Sequence, residues 1–155
     1  MIKYIFTGDT MKNRYEIVEV GTVIDLEDEF GNIHSITVSK KSVIIYANGF
    51  HKKDWKIIID EKNLNKVDEA IDRHWYVSVC KGTIYAKFCK QVNNNREYIL
   101  MHRLIVDCPK DMVVDHHPHH YGLDNRDENL RIVTALENNR NKIKQKRKKL
   151  CYFSI

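Results

Sequence analysis

The residues with the clearest chemical potential lie in one stretch, VVDHHPHHYGLDNRDENLRIVTALENNRN, which runs from Val113 to Asn141. It opens on an Asp-His pair, Asp115-His116, and its last third contains Asn138. Carboxylate and amide oxygens suit Mg²⁺, which completes its shell with water and phosphate. A neutral imidazole, with an ordinary pKa of ~6.5, can take a proton from water at pH 7. The stretch therefore predicts metal-assisted hydrolysis of a phosphodiester.

The pattern around these residues predicts the elements that position them. They are a brief strand at 112–115, a polar loop at 117–128, a strand at 130–134 and a helix from 135 to beyond 149. Thr134 is the predicted N-cap of the helix, with Glu137 as its capping-box partner. Two antiparallel strands backed by a helix bring the end of the first strand against the first turns of the helix. Asp115 and His116 are therefore expected beside Asn138.

These residues resemble the motif of the HNH endonucleases, the ββα-metal group. The similarity lies in Asp-His, Asp-Asn-Arg, Asn-Leu-Arg-Ile-Val-Thr and Glu-Asn-Asn, which follow one another in this order. It covers residues 99–141, including the upstream Met-His-Arg-Leu-Ile segment, and is greatest to small phage and intron-encoded homing endonucleases. The resemblance implies a metal-dependent DNA endonuclease whose products carry a 5′ phosphate and a 3′ hydroxyl.

The resemblance also implies roles for single residues. Asp115 and Asn138 would bind one Mg²⁺ or Mn²⁺, and His116 would be the general base. Asn129 would brace the loop and orient the histidine. The remaining implied residues are the loop-bracing Asn125 and Arg126 and the DNA-contacting Arg103, Arg140, Asn141, Lys142, Lys144, Lys146 and Arg147.

The loop after Asp115 departs from the family pattern, because it is one residue longer and rich in histidine. Strand alternation would place Asp115 and His117 on one face, whereas the family places the base directly after the aspartate, at His116. Three other interpretations remain open. One is a non-catalytic DNA-binding module with a degenerate HNH fold, and another is a zinc site built from the histidine cluster with Cys108. The third is an RNase or a toxin-like nonspecific nuclease that uses the same chemistry.

The four cysteines favour no metal framework, since none forms a Cys-x-x-Cys pair. We therefore expect no structural zinc and four reduced thiols, with Cys80 and Cys89 partly buried in strands.

The fold class predicted from the whole chain is α+β. Residues 1–62 are expected to form a small antiparallel β region with a possible role in DNA recognition. Residues 63–155 are expected to form a three-stranded meander, an HNH module and a basic C-terminal helix. The predicted strands are 15–20, 33–38, 42–47, 55–60, 75–80, 83–89 and 96–101, with short helices at 63–72 and 102–107. An Asn-Gly pair at 48–49 predicts a hairpin turn.

The charge distribution indicates double-stranded DNA as the partner. The formal net charge is +5, yet residues 140–149 alone hold seven Lys or Arg and no acid. Without these seven, 19 basic residues face 21 acidic ones. Such a segment can release phosphate counterions, and the sheets would add sequence contacts. No apolar run approaches the ~20 residues of a membrane span, and no signal peptide is recognised. These features predict an intracellular protein, monomeric or dimeric.

Overall fold

Residues 2–3, 14–69 and 74–142 are described by the computed structural model, which is a mixed α+β fold of mostly antiparallel strands. The strands are β1 (Ile2–Lys3), β2 (Arg14–Val18), β3 (Val23–Glu27), β4 (Ile33–Thr37), β5 (Ser42–Ala47), β6 (Trp55–Asp60), β7 (Tyr76–Cys80), β8 (Thr83–Val92), β9 (Asn95–Leu100), β10 (Val113–His116) and β11 (Leu130–Val133). The helices are α1 (Leu64–Glu69), α2 (Met101–Ile105) and α3, described over 135–142. Short 3-10 turns occupy Phe50–Lys52, Glu61–Asn63 and Asp127–Asn129.

The N-terminal sheet has the order β1-β2-β5-β6, with neighbouring strands antiparallel. Strands β5 and β6 carry β-branched residues on both faces, which suits strands covered on both sides. Ile45 and Ile57 face the main hydrophobic cluster, whereas Ile44 and Ile58 face a second cluster under the β3–β4 ribbon. The continuous apolar runs of β5 and β6 are explained by this double coverage.

In this region one strand was missed and one local prediction was wrong. β3 was not predicted, although its alternate residues Ile24 and Leu26 are buried under the ribbon. The Asn-Gly pair does not close a two-residue hairpin, because seven residues separate β5 from β6. Gly49 instead forms a parallel bridge with Val77, and a Cβ at Gly49 would lie 2.0 Å from the Val77 carbonyl oxygen. Close backbone approach, rather than turn geometry, requires glycine there.

The predicted meander is confirmed, with β7, β8 and β9 in sequential antiparallel order. Its inner face, which includes Ile84 and Phe88, belongs to the same hydrophobic cluster as Ile45 and Ile57. One core is therefore shared by residues on both sides of position 62, where a domain boundary was predicted. That boundary stays a prediction.

Helix α2 ends at Ile105, two residues before the predicted end at 107. The helix expected at 63–72 is a 3-10 turn followed by α1, and residues 70–73 lie outside the described ranges. Cys80 and Cys89 are exposed, contrary to the expectation of partial burial, because both side chains project from the outer face of the meander. Among the described residues, no helix has the length and apolarity to cross a bilayer.

Candidate functional site

The β10–β11 hairpin holds Asp115 and His116 at its end, where they pair with Arg131 and Leu130 respectively. Both side chains are buried. Successive residues of a strand project to opposite faces, so these two neighbours have different surroundings.

The Asp115 carboxylate lies against Arg131, α3 and the histidine-rich loop. Its Oδ2 accepts hydrogen bonds from Nε and Nη2 of Arg131, at 2.9 and 2.7 Å. The same oxygen accepts one from Nδ2 of Asn141, at 3.3 Å. The other oxygen, Oδ1, lies 3.7 Å from Nδ1 of His120. One carboxylate is thus shared by a guanidinium, an amide and an imidazole.

The His116 ring is enclosed on the other face of the hairpin. Its Nε2 lies 2.9 Å from Oδ1 of Asn125. Because an amide oxygen only accepts, Nε2 carries the proton and the lone pair is on Nδ1. Burial lowers the pKa of His116, although the hydrogen bond to Asn125 opposes this. The imidazole is therefore neutral at pH 7.

Two further rings complete the surroundings of His116. The His102 ring, from α2, meets it edge-on with centroids 5.0 Å apart. The Tyr85 ring, from β8, lies 5.7 Å from His116 and 5.1 Å from His102. Burial, helped by the nearby His116 and Arg103, lowers the pKa of His102 to about 3.

Buried polar atoms without a hydrogen-bond partner concentrate here. Within the described ranges they include Nδ1 of His102, Nδ2 of Asn125 and Oδ1 of Asn129. Most buried polar groups in folded proteins are paired, and unpaired ones often mark functional positions. These buried polar atoms around His116 could therefore form hydrogen bonds that no described residue supplies.

The loop between the strands is braced by its own polar side chains. Nδ2 of Asn129 donates to the Asp124 carbonyl at 2.9 Å, and the Asn129 carbonyl accepts from the His117 amide at 2.9 Å. Arg126 binds both carboxylate oxygens of Asp124, at 2.8 and 2.7 Å. These contacts fix the backbone that follows His116.

Arg126, predicted to brace the loop, and Arg103, predicted to contact DNA, both have intramolecular partners. Arg126 is buried, and besides Asp124 it pairs with Glu128 at 2.6 Å. The Arg103 guanidinium donates to the carbonyls of Met112 and Pro109, at 2.9 and 2.7 Å. In this geometry both brace the chain.

The N-terminal sheet anchors the same loop. Ile58 of β6 donates to the Leu123 carbonyl at 3.0 Å and accepts from the Asn125 amide at 2.8 Å, so the loop continues the sheet as a parallel bridge. The Asp127 amide donates to Oδ2 of Asp60 at 2.9 Å. Asn125, which holds His116, is therefore positioned by strands more than sixty residues away in sequence.

The predicted capping box of α3 is confirmed. The Thr134 amide donates to the Glu137 carboxylate at 2.9 Å, and the Glu137 amide donates to Oγ1 of Thr134 at 3.2 Å. Asn138 lies one turn before Asn141, and residues at this spacing share a helix face. The face that contacts Asp115 is thus the one that carries Asn138.

The predicted DNA-contacting residues are only partly described. Arg140 and Lys142 are exposed on α3, whereas Lys144, Lys146 and Arg147 lie outside the described residues. Asn141, predicted to contact DNA, has its side chain on Asp115 instead of free in solvent.

A carboxylate and an asparagine side-chain oxygen are ligands of the type that Mg²⁺ and Mn²⁺ accept. The groups that contact Asp115 are the guanidinium of Arg131, Nδ2 of Asn141 and the ring of His120, and the first two are hydrogen-bond donors rather than cation ligands. In the part of the chain that is described, no three His, Cys, Asp or Glu side chains are grouped to hold a metal.

Arg131, His120 and His102 contact the predicted site residues but were not predicted. The register of the hairpin could have identified Arg131, since it lies directly across from Asp115. His120 and His102 carry no comparable signal, because a loop conformation and the packing of α2 bring them in.

No protein-family model matches this chain, and neither the curated proteins nor the solved structures give a match.

Proposed function

We propose that this protein is a metal-dependent DNA endonuclease with an HNH-type site at the β10–β11 hairpin and α3. The observation that carries the proposal is the meeting of Asp115, at the strand end, with the asparagine face of α3 through Asn141 at 3.3 Å. The neighbouring His116, neutral and held by Asn125, supports it from the other face. A carboxylate, amide groups and an oriented imidazole are the parts that phosphodiester hydrolysis needs.

Asp115 and Asn138 would hold Mg²⁺ or Mn²⁺ in this proposal. The cation would act as a Lewis acid that stabilises charge on the phosphate and on the departing 3′ oxygen. Arg131 and Asn141 now occupy Oδ2 of Asp115, which leaves Oδ1 as the oxygen directed toward the histidine-rich loop. Arg131, half exposed, would be able to turn from the carboxylate to a phosphate.

His116 would act as the general base through Nδ1. The hydrogen bond from Nε2 to Asn125 fixes the tautomer that leaves a lone pair on Nδ1. Asn125 is in turn fixed by its backbone bond to β6. The proton of the attacking water would pass to Nδ1, and the hydroxide oxygen would form the new bond to phosphorus as the bond to the 3′ oxygen breaks. The departing 3′ oxygen would take a proton from solvent water to become the 3′ hydroxyl.

The test is nicking of supercoiled plasmid in Mg²⁺ and in EDTA. Wild-type protein should nick only with the metal, and His116→Ala should lose about 1,000-fold in rate. His119→Ala, an exposed histidine of the same loop, is the matched control and should keep the wild-type rate. Added imidazole should partly restore the nicking activity of His116→Gly. Wild-type protein that leaves the plasmid intact in both Mg²⁺ and Mn²⁺ would refute the proposal.

Metal binding provides a second readout. Asp115→Ala should bind Mn²⁺ more weakly by calorimetry, while circular dichroism shows the fold retained. Equal Mn²⁺ affinity in both proteins would contradict the role of Asp115.

The alternative function is a non-catalytic DNA-binding module. The ion pair between Arg131 and Asp115 favours it, since a guanidinium neutralises the carboxylate that the cation needs. This alternative predicts DNA binding that is equal in Mg²⁺ and EDTA, with no nicking in either.

A further inference from the structure

We propose that the outer face of the β7–β9 sheet binds the DNA duplex beside the cleaved phosphate, an inference that rests on the proposed nuclease function. The outer face is the side of the sheet that projects away from the hydrophobic core, and it carries Tyr76, Tyr85, Lys87, Cys89, Gln91, Arg96 and Tyr98. Ser78, Cys80, Thr83 and Leu100 project to the same side.

Strand register and burial define this face. Tyr76 lies across from Lys87, Cys89 from Tyr98, and Gln91 from Arg96, so the members of each pair project to the same side. The intervening residues of β8, Ile84, Ala86 and Phe88, are buried in the core.

The charge of the outer face is complementary to phosphate. It carries the cations Lys87 and Arg96, while the one carboxylate of the three strands, Glu97, lies across from Lys90 on the opposite side. All residues of these strands are described. The carboxylates of Asp115 and Glu29 act on Tyr85 at one end of the face, whereas the part around Lys87 and Arg96 has two cations and no acid on its own strands, which favours an anionic partner there.

Aromatic rings hold the central cation in place. Nζ of Lys87 lies 4.6 Å from the ring centre of Tyr98 and 5.5 Å from that of Tyr76. Tyr98 is 52% exposed, a high value for a tyrosine within a sheet. The phenol groups of these tyrosines can donate hydrogen bonds to phosphate oxygens. Because the rings already hold the Lys87 side chain between them, it loses little conformational freedom when it binds a phosphate.

The outer face is continuous with the candidate site. Tyr85 belongs to this face and also contacts the His116 ring at 5.7 Å. Strand residues two apart are separated by about 6.7 Å, so Gln91 lies about 20 Å from Tyr85 along β8. B-DNA rises 3.4 Å per base pair, so this distance corresponds to about six base pairs from the cut.

The first experiment measures binding of a 25-base-pair duplex by fluorescence anisotropy in EDTA, where cleavage does not occur. The double variant Lys87→Ala/Arg96→Ala should bind about tenfold more weakly, with a salt slope smaller by about 2. Lys56→Ala/Lys90→Ala removes the same charge from other surfaces and should bind like wild type. Lys87→Arg/Arg96→Lys should also retain affinity, because both cations remain.

The second experiment locates the surface on the DNA. A photocrosslinker on Cys89, with the other cysteines replaced by serine, should react within about six base pairs of the nick. The same reagent on Cys108 should react little. Crosslinks from Cys89 that are absent, or spread evenly along the duplex, would overturn the proposal.

The outcomes separate this surface from the nuclease activity. If wild-type protein nicks DNA while Lys87→Ala/Arg96→Ala binds as tightly as wild type, the proposed DNA-binding face is wrong and the proposed nuclease activity is supported. If wild-type protein never nicks but the double variant loses duplex affinity, the surface stands and the nuclease fails. Tighter binding of single-stranded DNA or RNA than of duplex would also overturn the duplex assignment.

Discussion

The chain before residue 100 and the segment after it are stabilised in different ways. Of the 24 buried hydrophobic residues in the described ranges, 20 lie before Met101. Of the nine buried polar or charged residues, seven lie between His102 and Asn129. The first part is a scaffold of apolar strands, and the second is a network of charged groups and amides.

The two parts of the chain should therefore respond differently to substitution of their buried residues. Apolar burial is non-directional, so the scaffold depends on volume and pattern. A buried polar network depends on the direction of every donor and acceptor, and it loses much when one partner is removed. The segment that carries the candidate chemistry is therefore the one that fixes side-chain orientation, while the scaffold holds it through β6.

The largest effect on stability is expected at the buried ion pair between Asp124 and Arg126, in the loop that joins β10 to β11. Asp124→Ala leaves the buried Arg126 guanidinium without its bidentate partner and should cost about 3–5 kcal/mol of unfolding free energy. Urea denaturation measures the change. Lys41→Ala removes the exposed pair with Glu61 and should barely move the midpoint. If the two variants lost similar amounts of unfolding free energy, the proposed difference between the buried polar network and exposed ion pairs would be contradicted.

A cavity in the scaffold should reduce stability without changing the chemistry. Ile57 is fully buried in the main cluster, and Ile57→Ala should cost about 3 kcal/mol. Below its melting temperature the variant should nick plasmid at the wild-type rate. A fall in rate beyond the folded fraction would mean that scaffold and site are more tightly coupled than proposed.

The buried histidine of α2 should make stability depend on pH. Burial lowers the pKa of His102 to about 3, so below pH ~6.5 the unfolded chain takes up a proton that the folded chain excludes. Stability should therefore fall as pH falls from 6.5 toward 3, by on the order of 1 kcal/mol per pH unit from this group. His102→Leu should remove that part of the slope in melting curves from pH 7 to 4. An unchanged slope would contradict the neutral buried state.

The smallest effect is expected at the exposed cap of α3. Thr134→Ala removes one side of the capping box and should cost about 1 kcal/mol, whereas Thr134→Asp keeps an acceptor and should cost less. Thermal melting of the two variants provides the comparison. Equal losses would show that the cap does not stabilise the described helix.

Features that depend on neighbouring residues could be predicted. The strand pair β10–β11, the meander and the capping box all follow from side-chain periodicity and cap spacing. Predictions were wrong where the environment of a residue depends on another strand that is distant in the sequence or on strand register. Gly49 was assigned to a turn, although Val77 of another strand is what requires it. Cys89 was expected to be partly buried, but the register of β8 with β9 places its side chain on the exposed outer face.

The order of residues along the chain is sufficient to place an Asp-His pair at the end of a strand and an asparagine-bearing helix after the next strand. The contacts of Arg131 and Asn141 with Asp115, and the enclosure of His116 by His102 and Tyr85, arise only from the packing of the folded chain. Strand alternation and helix capping act within a few residues, so they are readable in order along the chain. The partners of a buried polar group depend on which surfaces pack together, and residues far apart in sequence decide that jointly.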